Sequence, residues 1–386
     1  MFKLICNADV YTPQSIGIAY VLCCGEKIVY LGSAKPELGN GLTISEYDFQ
    51  GRVLIPGLID GHTHITGGGG ETGYASKVPT VPLSDFTSAG VTTAIGLLGT
   101  DDITRSTSSL ISACLALREE GMSAWCYTGG YHFPLTTLTD TAAKDIIHID
   151  CVIGIGELAI SDHRSSQLSW RELARVASEA HVAGLMTGKA GIVHLHLGDG
   201  DSGLSLMEKV LSETEIPNRV LNPTHVNRLS GLFDQACTFV KQGTYIDLTA
   251  FPMTEDDPGI SITDALTKYI NQDLPLDRIT ISSDGGGCLP VFDKQGMLSS
   301  LDFGRCSSLS QTMADLLDND LSLEQVLPLF SSNVAALLRL KNKGQIKVGA
   351  DADLVGLGEN HQINDVMCRG IWHKQDSKLN IKGKFE

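Results

Sequence analysis

From Leu54 onward the chain alternates short apolar runs with amphipathic segments, and many of the runs end in a side chain able to bind a metal. No other feature constrains the fold as strongly. Runs at 91–98, 124–127, 152–160, 192–197, 220–225, 245–249 and 279–283 read as strands buried on both faces. Segments 107–120, 170–185 and 229–242 read as helices between them. With the run that begins at Leu54, this gives repeated strand–helix units, the pattern of a parallel sheet covered by helices. No Gly-x-Gly-x-x-Gly opens a helix after the first strand, which weighs against a dinucleotide-binding sheet. The expected class is therefore α/β, a closed (β/α)8 barrel of the TIM type.

The first barrel run is Val53-Leu-Ile-Pro-Gly-Leu-Ile-Asp-Gly-His-Thr-His64. Residues i and i+2 of a strand share a face, so His62 and His64 leave the strand end side by side. Further along, Glu157, His196, His225 and Asp284 each fall near the C-terminal end of an expected strand, where such a barrel builds its active site. His194 shares the face of His196, and spacing alone leaves either as the ligand.

The flanks are different. Short apolar runs up to residue 53 are separated by Gly, Pro and Asn turns. A helix is expected over 323–340, followed by strands at 345–348, 353–357 and 366–372. Residues 1–53 and 344–386 are thus expected to form a small β-sandwich domain, with 54–343 as the barrel. A chain of 386 residues is long enough for both. A net charge of −16 argues against nucleic acid as a partner. No apolar stretch approaches the length of a membrane span. The N-terminal run breaks too early for a signal peptide, and ten irregularly spaced cysteines without a CxxC read as reduced residues of a cytoplasmic protein.

Both ends of the barrel region, Pro56-Gly-Leu-Ile-Asp-Gly-His-Thr-His64 and the closing stretch from Asn333 to Leu354, resemble the metal-dependent amidohydrolase superfamily. Within it the chain is similar to the isoaspartyl dipeptidases nearly end to end. The specific segments are Gly67-Gly-Gly-Gly-Glu71, Gly96-Leu-Leu-Gly-Thr100, Thr128-Gly-Gly-Tyr131-His, Ile160-Ser-Asp-His-Arg164, Thr224-His-Val-Asn-Arg228 and Ser282-Ser-Asp-Gly-Gly-Gly.

The resemblance implies hydrolysis of the isopeptide bond of β-aspartyl dipeptides by a hydroxide bridging two divalent ions, zinc in such enzymes. It implies His62, His64 and Asp284 at one ion, and His196 and His225 at the other. Tyr131 would stabilise the oxyanion, and Asp284 would carry the proton to the leaving amine. Glu71 would pair with the substrate ammonium, while Arg164 and Arg228 would grip carboxylates. Thr100 and the residue at 288 would line the substrate site, and the glycines 67–70 would let the backbone approach the ligand closely. His132 and His163 are expected as loop residues or as partners behind the ligands and substrate groups. A small-molecule dipeptide and further copies of the same chain are the implied partners.

Two departures stand out. The family's fourth strand carries a carbamylated lysine as bridge; here Gly156 is an added residue and Glu157 stands in the lysine's place. Glutamate has a shorter stem, and a bulge at the added glycine would bring it within reach. Cys288 replaces a serine. A cyclic-amide hydrolase of the dihydroorotase or hydantoinase kind, a nucleobase deaminase and a non-enzymatic scaffold remain as alternatives.

Overall fold

Alternating burial in the first strand sets up the layer built by the chain ends. In the computed structural model, which describes residues 2–39, 41–253, 257–292 and 298–386, β1 (Phe2–Tyr11) is followed by β2 (Ser15–Cys24), β3 (Lys27–Gly32), β4 (Ile44–Asp48) and β5 (Val53–Pro56). Leu4, Ile5, Ala8 and Val10 of β1 are fully buried.

The barrel strands are β6 (Leu58–Thr63), β7 (Val91–Gly96), β8 (Ser123–Thr128), β9 (Val152–Ile160), β10 (Val193–Leu197), β11 (Leu221–Thr224), β12 (Ile246–Thr249) and β13 (Ile279–Ser282). Those from β6 to β11 form one parallel ladder, and β12 pairs with β13. The ring closes where the amide of His64 donates to the Gly285 carbonyl at 2.8 Å. Between β11 and β12 side chains replace the ladder. Pro223 in β11 has no N–H to give. Asn222 donates to the Tyr245 carbonyl at 3.0 Å, and Asn227 accepts from Thr249 N at 2.9 Å.

Helices cover the outside. Trp170–Thr187 begins at a Ser169–Glu172 capping box and ends at Gly188, whose φ of 74° stops the helix in the left-handed region. A hairpin of β14 (Cys288–Phe292) and β15 (Leu298–Phe303) projects from the barrel mouth.

After the barrel, β16 (Leu354–Leu357), β17 (Ile363–Cys368), β18 (Ile371–Gln375) and β19 (Lys378–Leu379) return to the terminal layer. They join β5, β1, β2 and β3 in one nine-stranded sheet, with β4 attached to β1. The sandwich is this sheet curled on itself. Ile28 N donates to the Ala350 carbonyl at 3.0 Å, the rings of Tyr47 and Trp372 meet at 5.4 Å, and Ile5, Val21, Ile28, Leu354 and Met367 share the core between the halves. The division expected at residue 53 meets β5 inside this sheet, with Gly57 as the joint to β6.

Three sequence expectations need correction. The strand expected at 366–372 is the end of β17 and the start of β18, which reverse at Arg369-Gly370 and pair antiparallel. The helix expected over 323–340 is broken into Leu323–Val326, a 3-10 turn at Leu327–Phe330 and Ser332–Leu337. Pro328 lacks the N–H that a continuous helix needs, and Ser331 is non-helical at φ −144°, ψ −88°. The strand expected at 345–348 is a turn-rich segment that buries Ile346 in the terminal core. Among the described residues no helix is long and apolar enough to cross a membrane.

Candidate active site

The C-terminal ends of the barrel strands gather five imidazoles and several carboxylates around Glu157, which is 2% exposed. Its Oε1 lies 3.4 Å from His64 Nε2. Its Oε2 lies 2.8 Å from His196 Nδ1, 3.5 Å from His225 Nε2 and 3.6 Å from His62 Nε2. Asp284 Oδ1 stands 3.1 Å from His64 Nε2 and 3.4 Å from His62 Nε2. The glutamate thus stands among the candidate ligands, Oε1 toward His64 and Oε2 toward His196, His225 and His62.

The backbone explains how a glutamate arrives there. Across Val193 to Leu195 the partner residues on β9 run from Ile155 to Leu158, so β9 carries one extra residue at the Gly156–Glu157 step. Only glycine fits at 156, because a Cβ would meet the Cβ of His194 at 2.8 Å and its carbonyl at 3.1 Å. His225 and Asp284 both hold left-handed backbones, at φ 60° and 54°. Such strain in non-glycine residues costs about 1–3 kcal/mol each and gathers at functional sites.

Burial opposes charge on Glu157, but the adjacent His196 and His62 outweigh it and hold the carboxyl well below the usual range. Asp284 is likewise held low against burial by His62 and His64. The His62 ring has an ordered outer partner. Asn222 spends its amide group on the Tyr245 carbonyl, so its oxygen, 2.7 Å from His194 Nδ1, accepts a proton there. Burial and the neighbouring His62 bring His194 down to about 3, so the ring is neutral and its Nε2 accepts from His62 Nδ1 at 2.9 Å. The Nδ1 proton of His62 is thereby committed to His194, and its Nε2 faces Glu157 and Asp284, the side from which a cation would displace any proton. Sequence spacing left His194 and His196 open as ligands; the fold puts His196 on Glu157 and His194 behind His62.

These residues suit a pair of cations. His62 Nε2 and Asp284 Oδ1 are buried without a hydrogen-bond partner, a condition that costs about 1–3 kcal/mol unless something satisfies it. His62, His64 and Asp284 bring ligand atoms within 4.8 Å of one another, as do His62, Glu157 and His225. Imidazole nitrogens with carboxylate oxygens are donors that zinc accepts.

Outside this cluster a cavity of about 650 Å³ opens to the barrel mouth. It is lined by every site residue expected from the sequence except His62, which lies beneath it. Glu71 accepts from Thr100 Oγ1 at 2.6 Å and from Arg164 Nη1 at 3.3 Å. Tyr131 OH donates to Asp162 at 2.9 Å and lies 2.6 Å from His196 Nε2. Arg228 is half-buried and stacks its guanidinium over Phe251 at 5.4 Å. Cys288 is half-buried against Gly69, and burial and the adjacent Glu71 push its thiol up to about 12, which removes it as a nucleophile. The glycine loop is crowded by its own surroundings: at Gly67 (φ 79°) a Cβ would stand 2.0 Å from the Val78 carbonyl.

Asp162 escaped the sequence reading. Buried, it accepts from Arg164 Nη2 at 2.7 Å and lies 3.1 Å from His196 Nε2. It thereby ties a candidate ligand to a candidate substrate arginine. Its place beside Arg164 in Ser161-Asp-His-Arg164 was the available signal.

Fold and site together define a barrel of the amidohydrolase family, and the chain belongs to it: the family's profile matches residues 53–373. A structure of a β-aspartyl dipeptidase from Fervidobacterium islandicum AW-1, in complex with β-Asp-Leu, is 40% identical over 98% of both chains with a TM-score of 0.94. A second structure of the β-aspartyl dipeptidase from that organism is 38% identical over 98% of this chain and 99% of its own, with a TM-score of 0.90. The dihydropyrimidinase of Brevibacillus agri shares the fold at a TM-score of 0.67 and 16% identity. Among curated proteins the imidazolonepropionase of Streptococcus gordonii is 34% identical over 106 residues, which span 26% of this chain and 24% of that relative's length.

Proposed function

We propose that this protein is a β-aspartyl dipeptidase, hydrolysing the isopeptide bond between the side-chain carboxyl of aspartate and the next residue. One observation carries the reading: Glu71 and Arg164 stand 3.3 Å apart at the cavity wall. In a β-linked peptide the aspartyl residue keeps its α-ammonium and α-carboxylate on one carbon. An acid beside a base is the complement of that zwitterion. In an α-linked peptide the α-carboxyl is consumed by the peptide bond, and the match is lost. The F. islandicum structure with β-Asp-Leu supports the same substrate class.

In this reading His62, His64, Glu157, His196, His225 and Asp284 would hold two divalent ions, Glu157 offering its two oxygens to the pair, and the ions would supply an activated water and polarise the scissile carbonyl. Asp284 takes the proton of the attacking water and returns it to the leaving amine. Tyr131 turns its hydroxyl to the oxyanion as charge develops there. Glu71, set by Thr100, receives the ammonium; Arg164 takes the α-carboxylate and Arg228 the carboxylate of the leaving residue. Cys288 closes the wall beside Glu71. Zinc as the metal rests on the donor set and the cytoplasm as the setting on ten unpaired cysteines, while a homo-oligomer as the working form follows the family resemblance.

The test is turnover of β-Asp-Leu against α-Asp-Leu by the metal-loaded enzyme. Cleavage of the β isomer alone is expected; comparable cleavage of both would overturn the assignment.

A further inference from the structure

Three loops of the barrel mouth carry the proposed substrate-binding groups: the one after β7 with Thr100, the one after β8 with Tyr131, and the one after β9 with Arg164. One side chain, His132, touches all three. Its Nδ1 lies 2.9 Å from Oδ1 of Asp102 in the first loop. Its Nε2 lies 3.1 Å from the backbone carbonyl of Arg164 in the third. Its own amide donates to Asp102 Oδ2 at 3.0 Å. Next to it, Phe133 N donates to Ser166 Oγ at 3.0 Å, a second tie between the same loops.

Both ring contacts end on atoms that only accept, a carboxylate and a carbonyl. A neutral imidazole has one N–H and satisfies one of them; an imidazolium satisfies both. We propose that His132 is a positioning residue, an imidazolium clasp that holds the Arg164 backbone against Asp102 and so sets the affinity for the aspartyl end of the substrate. This deepens the dipeptidase reading and rests on it only for the identity of the substrate.

The surroundings favour the cation. From the loop after β7, Asp102 faces the ring. From the loop after β9 come Asp162 and the Arg164 guanidinium, which is turned to Asp162 and Glu71. His163 on that loop stands 3.8 Å from Asp162. From its own loop comes Tyr131, ring to ring at 5.8 Å, its phenol kept neutral by burial. The hydrogen bond to Asp102 outweighs partial burial and raises His132 above its ordinary value of 6.5. For a raised imidazole the contribution is present below that value and is lost as pH climbs through the raised one. The clasp therefore holds at and below the ordinary value and opens as pH rises through the raised one.

Two measurements on the metal-loaded, full-length enzyme test this. Ring nitrogen-15 NMR of His132 should show both nitrogens protonated at pH 6 and a titration above the ordinary 6.5; a ring neutral at pH 6, or titrating at or below 6.5, overturns the proposal whatever the substrate is. With β-Asp-Leu, His132→Gln should raise KM about tenfold at a pH below the His132 titration, the scale of one charge-assisted hydrogen bond, and leave kcat within twofold. The ratio of variant to wild-type KM should fall toward one as pH rises through the His132 titration. Titration of the substrate ammonium cancels in that ratio. A ratio that is flat with pH, or a fall in kcat alone, contradicts the clasp. If wild type leaves β-Asp-Leu intact, the dipeptidase reading fails and the NMR result still decides the protonation state.

Discussion

His194 Nε2 stands 2.9 Å from Nδ1 of His62, in a chain that continues through Asn222 to the Tyr245 carbonyl. The chain engages Nδ1 of His62 and turns Nε2 toward Asp284 and Glu157. Outer partners of this kind are typically worth 10–100-fold in metal affinity. His194→Gln stays no larger than the imidazole and breaks the ordered ring-to-ring contact, so metal affinity should fall by about that factor while the fold persists. Chelator competition reads it out, and unchanged affinity would show that His62 needs no such partner.

Gly156 is the position where the strand tolerates no side chain. Gly156→Ala forces a Cβ to 2.8 Å from His194 Cβ. Overpacking of this kind costs about 1–3 kcal/mol, and relief by a shift of β9 moves Glu157. Lower thermal stability together with metal loss is expected. A variant that loses neither would mean the bulge is slack.

In the proposed mechanism Tyr131 and Asp284 act on the chemical step rather than on binding. Tyr131→Phe should lower kcat for β-Asp-Leu by about 10²–10³, the scale for one oxyanion donor. Asp284→Asn should cut turnover far more than it weakens substrate binding. Full activity in Tyr131→Phe would leave the oxyanion to the metals alone.

His373 offers a pH test away from the site. It is fully buried with neither ring nitrogen hydrogen-bonded, and burial lowers its affinity for a proton below the ordinary 6.5. The unfolded chain therefore binds the proton more readily. Stability is present above about 6.5 and declines as pH falls below it toward the lowered value. His373→Leu should show a smaller drop in Tm between pH 7.5 and 5.5 than wild type. An identical drop would show that the acid sensitivity comes from elsewhere.

The strands that end in candidate ligands were legible because parallel barrel strands are apolar throughout, and a polar residue at their C-terminal ends stands out. The Glu157 bulge was legible as one residue too many. His194 was ambiguous because it shares a face with His196, and only the depth of the barrel separates them. Asp60 and Asp247, buried inside the barrel on Ser283 and on Thr224, Thr280 and Ser282, carried no signal, since a lone acid in a strand looks the same wherever its partners come from. The β14–β15 hairpin was missed because Pro290 argues against a strand and every residue of β15 is exposed, so neither strand shows a buried alternation. Asp102 and His132 meet across loops, where sequence spacing says nothing about distance.

Metal counting with and without bicarbonate tests the central claim, a two-ion site held together by Glu157 as an unmodified carboxylate. Metal-depleted protein is reconstituted with zinc in the presence and absence of bicarbonate, and metal per chain is measured for wild type and Glu157→Gln. The account predicts two ions per chain and equal β-Asp-Leu activity under both conditions for wild type, since a glutamate needs no carbon dioxide. It predicts loss of at least one ion in Glu157→Gln, where a neutral amide leaves the cluster one negative charge short. A fully active Glu157→Gln enzyme holding two ions, or a wild type that requires bicarbonate, would contradict it.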